Sequence, residues 1–119
     1  MPILAIEMVV AAGETAPPGL AGQIADAAGE VLSASVGSTW VRLRTLPAGQ
    51  YGESGGAPAG VMPVFVDLLV AQWPDPAVLQ TQCAALADLV GRLCGRPPEN
   101  VHILVQPPAA GRIAFGGKL

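Results

Sequence analysis

The chain has 119 residues, enough for a single domain with a buried core. Charged residues make up only 13% of it and hydrophobic residues 51%, with a net charge of −3. The six basic residues are scattered, which argues against a nucleic-acid partner, and no apolar run reaches the roughly 20 residues of a membrane span.

The first half of the chain predicts a strand, a helix and a second strand. Ile3 to Val10 is almost continuously apolar, which is typical of a strand buried on both faces. An apolar stripe predicts a helix over Leu20 to Val36, and Gly37 is expected to end it. Val41 to Leu46 alternates between apolar and basic residues and predicts the second strand.

The second half predicts the same order of elements. Val64 to Ala71 is expected to form a strand. Asp75 and Pro76 are favoured residues at the cap and first position of a helix, which Gly95 is expected to end. Val101 to Gln106 predicts the last strand.

Short sequences also recur between the halves, since Met1-Pro2 returns as Met62-Pro63. We predict one domain made of two β–α–β repeats, 1–60 and 61–119, each with a right-handed helical crossover between parallel strands. Side by side, the repeats form an α/β (α+β) fold, a four-stranded mixed sheet with both helices on one face. If the strands are apolar on both sides, other copies must cover the second face, and a ring of three would also hide the sheet edges.

The two cysteines predict neither a disulfide nor a metal site. Cys83 and Cys94 lie on one predicted helix about 16 Å apart, too far for a bond within the chain. With His102 as the only histidine, no zinc-binding spacing exists. Free cysteines suit a reducing compartment and the start of the chain lacks a secretory signal, so we expect a cytoplasmic protein.

Several motifs in order resemble those of the tautomerase superfamily, which includes 4-oxalocrotonate tautomerase and macrophage migration inhibitory factor. Met1-Pro2 opens directly into a strand, the β–α–β unit is duplicated, and Trp40 to Pro47 leads to Gly55-Gly56. The segment 98–103, followed by residues 107–117, is similar to the last strand and tail of the migration inhibitory factor branch. The resemblance implies a homotrimer with active sites near subunit boundaries, removal of Met1, and no metal or organic cofactor.

The resemblance also implies that Pro2 acts as base or acid on keto and enol substrates. A terminal amine has an ordinary pKa near 8, and burial in an apolar pocket lowers it. An amine that titrates near neutrality can take a proton from carbon and return it elsewhere. The alternative is that Pro2 is only a tolerated residue at the start of a strand.

Five further residues are candidates for the site. Arg42 and Arg44 share a strand face and could hold a substrate carboxylate, and Arg42 matches a strand arginine of the 4-oxalocrotonate tautomerase branch. By the same resemblance, Tyr51 lies beside the substrate and His102 lines a neighbouring subunit's site; His102 could also titrate near neutral pH. Arg112, in the glycine-rich tail, could approach a neighbour. Ion pairing or packing are the alternatives for all five.

We therefore expect a tautomerase or isomerase that moves a proton on a small 2-keto or enol carboxylic acid. Pro2 would move the proton, Arg42 or Arg44 would hold the carboxylate, and His102 or Tyr51 would polarise the carbonyl. One alternative is a non-catalytic trimer of the same fold that serves as an interaction or structural protein. Another is an unrelated small-ligand-binding domain of ferredoxin-like shape.

Overall fold

A computed structural model describes residues 1–119 of the chain. Its helices and strands follow the predicted order, with short 3-10 turns at Ala48–Gln50 and Pro98–Asn100. In chain order the main elements are β1 (Ile3–Val10), α1 (Leu20–Val31), β2 (Trp40–Pro47), β3 (Val64–Leu69), α2 (Pro76–Cys94) and β4 (Val101–Val105).

The four strands form one mixed sheet in the order β2-β1-β3-β4. β1 runs parallel to β2 and β3 parallel to β4, while the central pair β1 and β3 is antiparallel. Both β–α–β units have the same internal register, with Ile3 opposite Trp40 in one and Val64 opposite Val101 in the other. The predicted fold class is confirmed.

The core lies between the sheet and the two helices. Alternate side chains of the central strands point into it, as a period of two requires, and meet the apolar faces of α1 and α2. Each such side chain contributes about 1.5–3 kcal/mol of burial free energy. The side chains with no more than 2% exposure include Leu4, Ile6, Met8, Ile24, Val66, Leu68, Leu86 and Val90.

The other face of the sheet, which we call the open face, is not uniformly apolar. It carries Glu7 of β1, Asp67 of β3, Arg42 and Arg44 of β2, and His102 of β4. Within one chain β1 buries alternate side chains from Ile3 to Glu7 and all three of Met8, Val9 and Val10. Burial of its second face by other copies stays a prediction. Any partner that covers this face must accommodate charges as well as apolar side chains.

Helix α1 ends at Val31, five residues before the predicted end at Val36. The chain leaves the helix at Ser33, whose φ of 54° is left-handed. Beyond it a separate turn forms, in which the Ser38 hydroxyl donates to the Ser35 carbonyl oxygen at 2.7 Å. Serine side chains compete with helical hydrogen bonding in this way, so the glycine at position 37 is not what ends the helix.

Helix α2 starts and ends where its flanking residues predict. Asp75 is the N-cap residue, although its side chain makes no capping hydrogen bond, and Pro76 occupies the first turn. Gly95 ends the helix with a left-handed φ of 70°. Neither helix combines the length and apolar character that crossing a lipid bilayer would require.

Strands β3 and β4 stop slightly earlier than predicted, at Leu69 and Val105. Pro107 and the proline after it have no N–H to donate, so they interrupt the ladder. The pairing resumes beyond them, where the backbone N–H of Ala109 donates to the Val70 carbonyl oxygen at 2.9 Å. This returns the C-terminal tail to the side of the sheet where β1 begins.

The two units do not correspond in the way that the recurring Met-Pro pairs suggest. Matching Pro2 with Pro63 would match Leu4 with Phe65, yet Leu4 faces the helices and Phe65 lies on the open face. Because successive side chains of a strand point to opposite faces, a match that is displaced by an odd number of residues exchanges the two faces. The helix ends give a consistent match: Ala34 corresponds to Arg96, as shown below.

Candidate functional site

Pro2 lies in a buried position at the entrance to β1. Its carbonyl oxygen accepts a hydrogen bond from the Trp40 backbone N–H at 3.0 Å, which fixes it beside β2. Strand alternation places its ring on the same side of the sheet as Leu4, the side covered by the helices. With Met1 attached, the Pro2 nitrogen is a tertiary amide.

An open pocket of about 450 Å³ lies beside Pro2, and we call it the Pro2 corner. It is bounded by the residues after α1, the end of β3 and the loop before α2. No side chain that lines it is charged. Its polar side chains belong to Ser33, Ser35, Ser38, Gln72 and Gln82.

The equivalent place in the second unit is filled by Arg96, whose side chain is only 10% exposed. Its guanidinium donates to the backbone oxygens of Met62, Val9 and Cys94 at 2.9, 2.8 and 3.2 Å. It also donates to both carboxylate oxygens of Glu14, at 3.1 and 3.2 Å. These partners lie before β3, at the end of β1, at the end of α2 and before α1. They correspond to Pro2, which lies before β1, and to the three segments that bound the Pro2 corner.

Ala34 occupies the position in the first unit that Arg96 occupies in the second. The Ala34 N–H donates to the Gly29 carbonyl oxygen at 2.9 Å, and the Arg96 N–H donates to that of Gly91 at 2.7 Å. In both places the preceding residue has a positive φ, 54° and 70°. The Pro2 corner is therefore open because alanine has no long side chain to fill it.

A depression of about 360 Å³ on the open face contains the two strand arginines. Arg42 and Arg44 line it together with Glu7 and Asp67, around the small side chain of Ala5. The Nε atom of Arg44 lies 3.5 Å from a Glu7 carboxylate oxygen. Because the Arg44 side chain is 82% exposed, this ion pair adds well below about 1 kcal/mol to stability. Arg42 has no such partner in the chain.

Tyr51 and His102 also lie on the open face, on either side of Phe65. The ring of Phe65 lies 5.8 Å from that of Tyr51 and 5.6 Å from that of His102, measured between centroids. The Tyr51 hydroxyl donates to the Glu53 carboxylate at 2.6 Å, and this hydrogen bond raises the pKa of Tyr51. The proton of the Tyr51 hydroxyl is therefore directed at Glu53.

Arg112 is bound to its own tail. Its guanidinium donates to the backbone oxygens of Pro107 and Pro108, each at 2.8 Å. The tail also covers an apolar pocket of about 200 Å³ next to Met1 and Ile3. Met1 lines both this tail pocket and the Pro2 corner, so it lies between them.

The structure thus brings four of the candidates to one face and leaves Pro2 on the other side of the sheet. The open face carries Arg42, Arg44, Tyr51 and His102. Arg44 lies opposite Glu7 in the sheet, and Glu7 is five residues, or about 16 Å along β1, from Pro2. One chain alone therefore does not join Pro2 to either strand arginine. A site that uses both must combine residues from two copies, and their joint role stays a prediction.

The contact between Arg96 and Glu14 was not predicted from the sequence. The hydrogen bond donated by the Ala11 backbone N–H, together with Arg96, lowers the pKa of Glu14. The two residues are 82 positions apart, and no local pattern connects them. Only a comparison of the two helix ends, Ser33-Ala34 with Gly95-Arg96, could have drawn attention to this position.

Solved structures of similar shape cover nearly the whole chain. Pt0534, inactivated by 2-oxo-3-pentynoate, matches with a TM-score of 0.77 and 21% identity over 98% of this chain and 94% of its own. Macrophage migration inhibitory factor from Trichinella spiralis matches with a TM-score of 0.74 and 17% identity over 98% and 97%. A fused 4-OT, solved as a symmetric trimer, matches with a TM-score of 0.72 and 18% identity over 98% and 94%.

No protein-family model and no curated protein sequence matches the chain. The structural matches lie below 25% identity, so what they establish is the fold. The resemblance noted in the sequence is confirmed at that level: this chain has the tautomerase/MIF-like fold.

Proposed function

We propose that the protein is a cofactor-independent tautomerase that uses the Pro2 amine to move a proton on a small 2-keto or enol carboxylic acid. One observation carries the proposal. Pro2 is buried beside an open pocket at the place where the second unit is filled by Arg96. A cavity of about 450 Å³ is within the size range of small-molecule sites.

The proposed base requires that Met1 be removed. Removal frees the Pro2 nitrogen and also takes away the residue that lies between the Pro2 corner and the tail pocket. Leu32 and Val70 give the corner an apolar portion, which disfavours the charged amine and leaves it able to accept a proton. A neutral amine positioned in this way can act as a general base and then as a general acid.

We propose that the protein acts as a homotrimer and that a neighbouring copy supplies the arginine. Within one chain Arg42 and Arg44 face away from Pro2. Arg42 has no partner of its own, so it is the better candidate to hold a carboxylate, ahead of Arg44, which is paired with Glu7. The trimeric state of the fused 4-OT of the same fold is consistent with such an assembly.

His102 is the stronger of the two candidates for polarising the carbonyl, because the Tyr51 hydroxyl already donates to Glu53. His102 is exposed on the open face, where a neighbouring copy could bring it to a second corner. Arg112 is the weakest candidate for binding substrate, because it would first have to leave the backbone oxygens of Pro107 and Pro108.

The proposal is tested by intact mass and by kinetics. The mass shows whether Met1 is absent, and the ketonisation of phenylenolpyruvate and 2-hydroxymuconate is then followed for wild type, Pro2→Ala and Pro17→Ala. Pro17 lies in the exposed loop before α1 and serves as the control. Pro2→Ala keeps a free terminal amine but removes the ring that fixes its position. We therefore expect it to lower kcat/KM, by less than the roughly 100-fold or more that complete loss of a general base costs, and Pro17→Ala to leave it unchanged. An unchanged rate in Pro2→Ala would show that the mechanism is wrong.

The second candidate is a non-catalytic trimer of the same fold. The observation that favours it is the arrangement within one chain, where Pro2 and the strand arginines Arg42 and Arg44 lie on opposite sides of the sheet. A mature protein that keeps Met1 and shows no rate above background would support this alternative.

A further inference from the structure

We propose that the Pro2 corner binds an uncharged, hydrogen-bonding end of the substrate, such as an ester, amide or aldehyde carbonyl, while the single carboxylate is held elsewhere. This inference rests on the proposed function and names the class of substrate. It predicts a substrate with one carboxylate and one neutral carbonyl end.

The lining of the corner includes several polar side chains but no charged one. The Ser38 hydroxyl donates to the Ser35 carbonyl oxygen at 2.7 Å, so part of the serine set is already engaged. The side chains of Ser33, Gln72 and Gln82 make no hydrogen bond within the chain and border the pocket. Hydroxyl and amide groups of this kind can donate to a neutral carbonyl oxygen and accept from a neutral donor.

The second unit shows what a charged version of the same place looks like. There, the Arg96 side chain extends from the residue after the left-handed turn and places its guanidinium in this position. The carboxylate of Glu14, in the loop before α1, compensates its charge. In the first unit Ala34 takes the place of Arg96, and the loop before α2 contributes Gln72 and Pro74 to the lining. Both charges are missing, and an amine that acts as a base is neutral as well.

The absence of both charged side chains favours the binding of a neutral carbonyl over a carboxylate in the Pro2 corner. A carboxylate that enters the corner gives up part of its hydration and meets no cationic side chain in return, which is unfavourable. A neutral carbonyl loses less on leaving water, and Ser33, Gln72 and Gln82 can replace its hydrogen bonds. The strand arginine of a neighbouring copy remains available for the one carboxylate.

The test compares two probes that differ only at one end, 2-hydroxymuconate and its 6-methyl ester. The assembled protein without Met1 is used, and both kcat/KM and the dissociation constant from calorimetry are measured. We expect wild type to favour the ester at least about 10-fold in both quantities. Ala34→Lys introduces a cation into the corner and should reverse the preference toward the diacid, whereas Ala84→Lys, on the exposed face of α2, should not.

The outcomes separate this inference from the proposed function. A wild-type preference for the diacid, an unchanged ratio in Ala34→Lys, or no binding of either probe would overturn the neutral-end assignment. Binding that favours the ester without turnover of either probe would support the assignment and contradict the tautomerase proposal. Ser35→Lys places the cation one residue further along the same lining and is used if Ala34→Lys fails to fold by circular dichroism.

Discussion

Arg96 donates two hydrogen bonds to Glu14, at 3.1 and 3.2 Å, and so joins the end of the second helix to the loop before the first. The same guanidinium also donates to the backbone oxygens of Val9 and Met62, at the adjacent ends of two central strands. One side chain from the second half of the chain thus satisfies acceptors in the first.

Replacing Arg96 should therefore destabilise the fold. Arg96→Ala leaves the Glu14 carboxylate with only the Ala11 N–H as a donor and removes the guanidinium from the backbone oxygens of Val9 and Met62. We expect a loss of about 2–3 kcal/mol in the free energy of unfolding. Arg92→Ala, which replaces an exposed arginine in the last turn of α2, is the control and should change the free energy of unfolding by less than about 0.5 kcal/mol. Urea unfolding of both variants checks the prediction, and equal effects would contradict it.

The stability contributed by Glu14 should depend on pH. The hydrogen bond from the Ala11 N–H and the hydrogen bonds from Arg96 lower the pKa of Glu14 below its ordinary 4.5 in the folded state. Its contribution is therefore complete above the ordinary value and is lost as the pH falls through the lowered one. The stability difference between wild type and Glu14→Gln should shrink on acidification from neutral pH to about pH 3. A difference that is constant across this range in urea titrations would refute the assignment.

Two helical glycines should respond in opposite ways to alanine. At Gly91 an added Cβ would lie 2.6 Å from the Arg96 backbone oxygen, so Gly91→Ala should cost about 2 kcal/mol or more. At Gly22 an added Cβ would meet nothing within 4 Å, so Gly22→Ala should stabilise the protein by about 0.5–1 kcal/mol. Thermal unfolding of the two variants measures whether each gains or loses stability. A stabilising Gly91→Ala would contradict the close approach of the Arg96 backbone oxygen to Gly91.

The cysteines should react slowly in the folded protein. Burial raises the pKa of both thiols, and Cys94 is only 6% exposed, although the nearby Arg96 opposes the shift there. Only thiolates react readily, so we expect Cys94 to be modified by a disulfide reagent at least about 100-fold more slowly than in urea. Cys83 is half-buried and should be the faster of the two. Rapid modification of Cys94 under native conditions would contradict the packing of α2.

The fold could be predicted from the sequence wherever the signal is local. Asp75, Pro76 and Gly95 mark the ends of α2 because caps and breakers act within a few residues. The end of α1 could not be predicted, because it depends on Ser33 adopting a left-handed backbone that serine takes less often than glycine. The structural correspondence between β1 and β3 could not be predicted either. The two Met-Pro pairs match in sequence, but a matching dipeptide does not show which face of a strand its residues occupy.

The site was predictable as a set of residues but not as an arrangement. Pro2, Arg42 and His102 were identified individually, yet Pro2 lies on the helix side of the sheet and the other two lie on the open face. That separation depends on sheet register, which no single motif encodes. The Pro2 corner is open because Ala34 has a short side chain. The importance of this residue becomes clear only when the folded chain shows that Arg96 occupies the equivalent position in the second unit.

The proposed proton transfer requires a free Pro2 nitrogen. It is tested most directly by comparing two forms of the protein in the ketonisation of 2-hydroxymuconate 6-methyl ester. One form lacks Met1, and the other carries one inserted residue that keeps the Pro2 nitrogen in an amide. We predict that the first form is active and that the blocked form is slower by about 100-fold or more, the usual contribution of a general base. Equal rates in the two forms would show that the Pro2 nitrogen is not the base.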